Sequence, residues 1–145
     1  MRIDGEWYPC DDGIVRPVFH SQVLAVDGSW KQVSFLADTG ADQTVFSADV
    51  LVRLAYPATK TDHRLAGVGG IADSVAVTAQ IRFACDDGTR AVFRGDYAGF
   101  TALEALDMSI LGRDIMSLMT LIADWQGDVV CMIAQGHRYR IEAVS

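Results

Sequence analysis

The sequence predicts a mainly β domain, a barrel or sandwich of short strands with at most two short helices. Three observations predict it. Residues 75–85 alternate apolar and polar with period two, turn signals rich in Asp and Gly recur between short apolar runs, and only two stretches carry helical spacing. At 145 residues the chain has room for one domain with a sizeable core.

Taken in order, residues 18–26 are mostly apolar, Asp27-Gly28-Ser29 is a turn signal, and residues 30–37 read as the return strand. Ser47-Ala48-Asp49 opens a short helix through Leu54, with Val50, Leu51 and Leu54 on one face, ended near Pro57. In the clearest strand, Val75, Val77, Ala79, Ile81, Phe83 and Cys85 share one parity, and Ala76, Thr78, Gln80, Arg82 and Ala84 the other. Asp86-Asp87-Gly88 then turns the chain and residues 89–97 return beside it. The spacing of Ile115, Met116 and Met119 predicts a helix over 112–119. Residues 121–124 and 129–134 flank Gln126-Gly127-Asp128 as a further hairpin, and 137–144 add a last strand.

Half of the residues are hydrophobic and 21% are charged, which favours a compact fold over disorder. Twelve Lys and Arg against nineteen Asp and Glu leave a net charge of -7, which argues against nucleic acid as a partner. No apolar run approaches the roughly 18–20 residues of a spanning helix, and the opening MRIDGEWYPCDDG has no signal-peptide character. No membrane partner is expected. Cys10, Cys85 and Cys131 are odd in number and far apart, without a C-x-x-C, so reduced thiols and a cytoplasmic location are expected. His20, His63 and His137 are equally scattered, and no metal site is predicted.

Three stretches carry chemistry. In Phe35-Leu36-Ala37-Asp38-Thr39-Gly40-Ala41-Asp42 an acid ends an apolar strand and is followed by a small hydroxyl residue and Gly, which holds a carboxylate at a fixed place on a tight loop. An ordinary turn has the same residue types. Leu65-Ala66-Gly67-Val68-Gly69-Gly70-Ile71 is a glycine-rich hairpin tip whose amides can approach a ligand. Its formal fit to a dinucleotide fingerprint fails, because that motif needs a helix next and residues 75–85 alternate with period two. In Met108-Ser109-Ile110-Leu111-Gly112-Arg113-Asp114-Ile115, apolar residues run into Gly, and a charged pair then opens the second helix.

Together, in this order and at these spacings, the three stretches resemble the retropepsins, the single-domain aspartic proteases of retroviral type. The resemblance covers roughly residues 18–119. It implies a retropepsin-like closed β-barrel with a flap hairpin and one or two short helices, a single domain over 1–145 whose core is about 18–119, and a β extension over 120–145. By resemblance, Asp38 is the catalytic aspartate, Thr39 braces the loop against a second subunit, and Gly40 offers its carbonyl to the substrate backbone. Ala41, Asp42 and Gln43 line the substrate cleft, Ala66, Gly67, Val68 and Gly69 form the flap tip, and Met108 and Ile110 are pocket walls. Asp42 is expected to form a structural ion pair with Arg113, whose guanidinium fork suits a carboxylate. Gln43 departs from the acid of some viral members, and Ala66 replaces a flap glycine. Arg16-Pro17 is similar to an N-terminal Arg-Pro of some viral members.

The sequence holds one Asp-Thr-Gly and no Asp-Ser-Gly, so one chain supplies one catalytic aspartate and a symmetric homodimer is the simplest source of the other. The expected function is an aspartic endopeptidase acting on peptide or protein substrates without metal or organic cofactor. The alternative is a retropepsin-fold binding or dimerisation module with weak or lost proteolysis.

Overall fold

The computed structural model describes residues 1–56, 59–67, 70–102, 106–134 and 142–144, with 59–67 and 70–73 described through their backbone. Its elements run β1 (Arg2–Asp4), β2 (Glu6–Pro9), β3 (Val15–Leu24), β4 (Trp30–Ala37), β5 (Val45–Phe46), α1 (Ala48–Leu54), β6 (Thr59–Gly67), β7 (Gly70–Ala84), β8 (Arg90–Phe100), β9 (Ser109–Leu111), α2 (Arg113–Met116), β10 (Met119–Asp124) and β11 (Val129–Ala134).

The main sheet has the order β2-β3-β4-β9-β5-β8-β7-β6, and an additional β3–β7 pairing closes it. Six strands (β3, β4, β9, β5, β8 and β7) therefore form a closed barrel. Closure rests on Gln22↔Arg82 and Val23↔Ile81, supported by Arg82 Nε donating to Gln22 Oε1 at 2.8 Å and by the Arg82 guanidinium lying 3.9 Å over the Trp30 ring. The period-two reading of β7 fits its burial: Val75, Val77, Ala79, Ile81, Phe83 and Cys85 are all buried, whereas Ala76, Thr78 and Ala84 face solvent. Burying each large side chain of that row stabilises the fold by roughly 1.5–3 kcal/mol. Phe19, Val23, Phe35, Phe46 and Leu111 fill the rest of the same core.

Three features depart from the sequence reading. The helix expected over 112–119 is a single turn, Arg113–Met116, because Met119 pairs with Ala134 and starts β10. Ile115 and Met116 are buried, so the apolar spacing marks core contact over one turn only. The N-terminal strands β1 and β2 were not anticipated. Three residues of Arg-Ile-Asp carry too short an alternation to read, and β1 is recruited by β11 into a second sheet of order β1-β11-β10. Ile3, Val130 and Met132 of that sheet join the core. Glu142–Val144 carry no strand, and 137–141 of the expected last strand lie outside the described residues.

Candidate active site

Strand β4 delivers Asp38 to the surface. It runs parallel to β9 through Phe35↔Ser109, Leu36↔Ile110 and Ala37↔Leu111, and Asp38 N–H continues the ladder to Leu111 O at 3.1 Å. The chain then turns, with Ala41 N–H donating to Asp38 O at 3.1 Å and Gly40 N–H donating to the Asp38 carboxylate at 2.9 Å. A Cβ on Gly40 would stand 3.2 Å from that same Oδ1, so close approach to the carboxylate favours glycine here. Asp38 is half-buried, while Thr39 and Gly40 are exposed. The Thr39 hydroxyl makes no hydrogen bond among the described residues.

The loop after Asp38 is locked to α2. The first amides of a helix have no partner within it, and here Arg113 N–H donates to Ala41 O at 2.9 Å and Asp114 N–H to Asp42 O at 3.2 Å. Thr44, fully buried, completes the lock. Its N–H donates to both Asp114 carboxylate oxygens (3.0 and 2.9 Å), its hydroxyl donates to Asp114 Oδ1 at 2.7 Å, and it accepts from Gly112 N–H at 3.1 Å. The Asp114 carboxylate also accepts from Ile115 N–H at 2.9 Å. Gly112 must be glycine for close approach, since a Cβ there would lie 2.3 Å from the Gln43 carbonyl carbon. Beside this lock, burial first, then the charges of Asp114 and Asp96, pushes the Tyr97 phenol up to about 12.

Arg113 Nη2 donates to Asp42 Oδ1, so the expected pair forms, but at the surface: the side chains are 56% and 79% exposed. Thr44, fully buried, and Asp114, half-buried, are the more enclosed counterpart that sequence reasoning passed over. The visible signal was an acid in the first turn of a helix that opens right after Gly112.

The other expected site residues fall into two groups. Met108 and Ile110 are half-buried and line a cavity of about 280 Å³ together with Leu36. Ala41, half-buried, and Asp42 and Gln43, exposed, stand on the loop outside that cavity. Strands β6 and β7 form an antiparallel hairpin that pairs up to Ala66↔Ile71 and Gly67↔Gly70. Val68 and Gly69, expected at its tip, lie outside the described residues. Among the described residues no group of three or more His, Cys, Asp or Glu side chains could hold a metal ion, and no helix is long and apolar enough to cross a membrane.

Comparison with known proteins places this geometry in context. The family model for the retroviral aspartyl protease matches residues 16–122. No curated protein matches. Among solved structures, the chain is similar to EIAV protease complexed with the inhibitor HBY-793, with a TM-score of 0.53 and 24% identity over 70% of this chain and 86% of that one. It is also similar to a retropepsin-like aspartic protease from Rickettsia conorii, with a TM-score of 0.56 and 17% identity over 91% of this chain and 88% of that one. At these identities the two structures establish the likeness of fold.

Proposed function

This chain belongs to the retroviral aspartyl protease family, and we propose that it is an aspartic endopeptidase that works as a homodimer. The observation that carries this reading is the way Asp38 is presented. A lone Asp-Thr-Gly turn stands at the end of a barrel strand, tied from behind to α2, with Thr39 and Gly40 exposed at its front.

Peptide hydrolysis needs a base to activate water and an acid to protonate the departing amine. Two carboxylates a few ångströms apart cannot both ionise easily, so they share one proton and serve as base and acid in turn. Each chain contributes one such group, and the dyad forms where two Asp38 turns meet across a two-fold axis. The exposed Thr39 hydroxyl is then a brace between subunits. Gly40 offers its carbonyl to the substrate backbone, and Ala41, Asp42 and Gln43 flank the bound peptide. The β6–β7 hairpin acts as the flap, with Ala66, Gly67, Val68 and Gly69 reaching over the substrate, and Met108 and Ile110 receive a side chain. The three cysteines are free thiols, which supports a reducing compartment such as the cytoplasm.

The test is cleavage of a mixed peptide library at several pH values by the purified protein and by Asp38→Asn. Activity should fall by roughly 10²–10⁴-fold or more in the variant. Equal cleavage by the two proteins overturns the proposal.

A further inference from the structure

The outer face of the β7–β8 hairpin gathers positive charge in a chain whose net charge is -7. Strand alternation puts Arg82 on that face, since Ile81 and Phe83 on either side of it are fully buried. Its register partner is Val92, and Arg90 and Arg94 stand two residues to either side of Val92 on β8. Arg90, Val92 and Arg94 are exposed, and Arg82 is half-buried. Diagonal neighbours across a β ladder lie about 7–8 Å apart, so three arginines stand round one apolar residue.

These arginines differ from the rest in what holds them. Among the described residues, Arg2, Arg16 and Arg113 each pair with a carboxylate, and Arg53 donates to the Gln32 carbonyl. Arg82 and Arg94 are held by neutral amides: Arg82 Nε donates to Gln22 Oε1 at 2.8 Å, and Arg94 Nε to Gln80 Oε1 at 3.1 Å. Arg82 is also stacked 3.9 Å over the Trp30 ring. A guanidinium held through Nε keeps its two Nη groups as a fork for a carboxylate, and a glutamine fixes its direction without cancelling its charge. Arg90 makes no hydrogen bond or ion pair among the described residues. The flanking acids are turned to other partners. Asp86 accepts from Arg2 N–H at 2.7 Å, Asp87 from Thr89 N–H at 2.9 Å, and Asp96 from the Thr78 hydroxyl at 2.6 Å. Burial first, then the charge of Arg90, draws the Arg82 guanidinium below its ordinary value, so an anion seated between the two relieves a repulsion.

We propose that this face docks an acidic, extended segment of a protein partner, its carboxylates on Arg82, Arg90 and Arg94 and an apolar side chain against Val92. Charge and size select the occupant. Three cations in a compact triangle match a short run in which Asp or Glu and an apolar residue share one face of an extended chain. A nucleic acid needs a longer basic track, and the surplus of carboxylates elsewhere on this chain repels a long polyanion. The face is remote from the Asp38 turn, because Trp30 begins β4 and Asp38 follows its other end, roughly 26 Å away along the strand. Docking here is separate from the cleft and does not depend on the protease reading.

The test is fluorescence anisotropy of a labelled peptide of alternating Glu and Leu, titrated with the Asp38→Asn protein so that nothing is cut. Binding should be about tenfold tighter than to the same peptide with Gln in place of Glu, and should weaken as NaCl rises from about 0.05 to 0.5 M. Arg90→Gln and Arg94→Gln should each weaken it about tenfold, with thermal melts unchanged. Gln80→Met, which keeps the charge but releases Arg94 Nε, should weaken it about threefold. Arg82→Gln also touches the barrel seam, so the β8 variants carry the result. Equal affinity for the Glu and Gln peptides, or full affinity in all three of these variants, overturns the proposal. So does an oligonucleotide that binds more tightly through the same arginines, or inorganic phosphate that displaces the peptide below about 1 mM, since either makes the face a phosphate site.

Discussion

Burial decides which residues hold the Asp38 loop. The Asp42–Arg113 pair looks like the tie between loop and helix, yet both partners are largely exposed, and exposed pairs contribute about 0–1 kcal/mol. Thr44 is fully buried and links two groups at once, the Asp114 carboxylate and the Gly112 N–H. Thr44→Val would leave the Gly112 N–H unsatisfied and remove one donor from Asp114, so it should lower unfolding free energy in urea by about 1–3 kcal/mol. Asp42→Ala should change it by less than about 1 kcal/mol, and a reversed ranking would refute this account. Gly112→Ala should also destabilise by about 1–3 kcal/mol or more, since the new Cβ meets backbone that cannot rotate away. Asp38, Thr39 and Gly40 could be picked from the sequence because an acid at a strand end is chemically conspicuous. Thr44 and Asp114 could not, because 70 residues separate them and it is the β5–β9 pairing, Val45↔Ile110, that brings their segments together.

Local pattern and tertiary demand compete at the ends of elements. Helix α1 runs from Ala48 to Leu54 as its Ser47 start and apolar spacing suggest, but it is closed by Ala55 in the left-handed region at φ 55. Glycine is favoured there, so Ala55→Gly should stabilise by roughly 0.5–1 kcal/mol and raise Tm by roughly 1–4 °C, read by a thermal melt. A fall in Tm would show that Ala55 packing outweighs its backbone strain. In the β2–β3 hairpin, the Arg16 fork first, then the Ile14 N–H, hold the Asp12 carboxyl down to about 2. Its folded value lies below the ordinary 3.8, so the brace is complete above about pH 4 and is lost as pH falls through about 2. An NMR titration of Asp12 should give a midpoint near 2. A midpoint near 3.8 would mean that the brace does not form in solution. Strand β7 was legible because its alternation runs over eleven residues, 75–85. Strands β1, β5 and β9 were not, because two or three residues cannot display a period and their pairing partners lie far away in sequence.

At the scale of the molecule, the barrel is closed by only two residue pairs between β3 and β7. Ile81 stands in that seam and is fully buried, so Ile81→Ala should cost about 2–5 kcal/mol, measured by urea unfolding. On the proposed homodimer, activity per chain should rise with protein concentration. Adding an equal amount of Asp38→Asn to wild type should reduce its activity to about half, through random pairing into mixed dimers. Activity that is independent of concentration and indifferent to the added variant would refute the dimer. Composition, turn signals and one long alternating strand by themselves determined a mainly β chain, and three short motifs pointed to the family and to Asp38 as its proposed catalytic residue, because these signals are local and survive without partners in space. Only the tertiary structure decided how β3 and β7 close the barrel, that Thr44 and Asp114 lock the loop, and that Gln22 and Trp30 hold Arg82. Each of these joins residues far apart in the chain, and the physical reason is the same in all three: pairing register and burial are set by the whole fold, and no short window of sequence contains them.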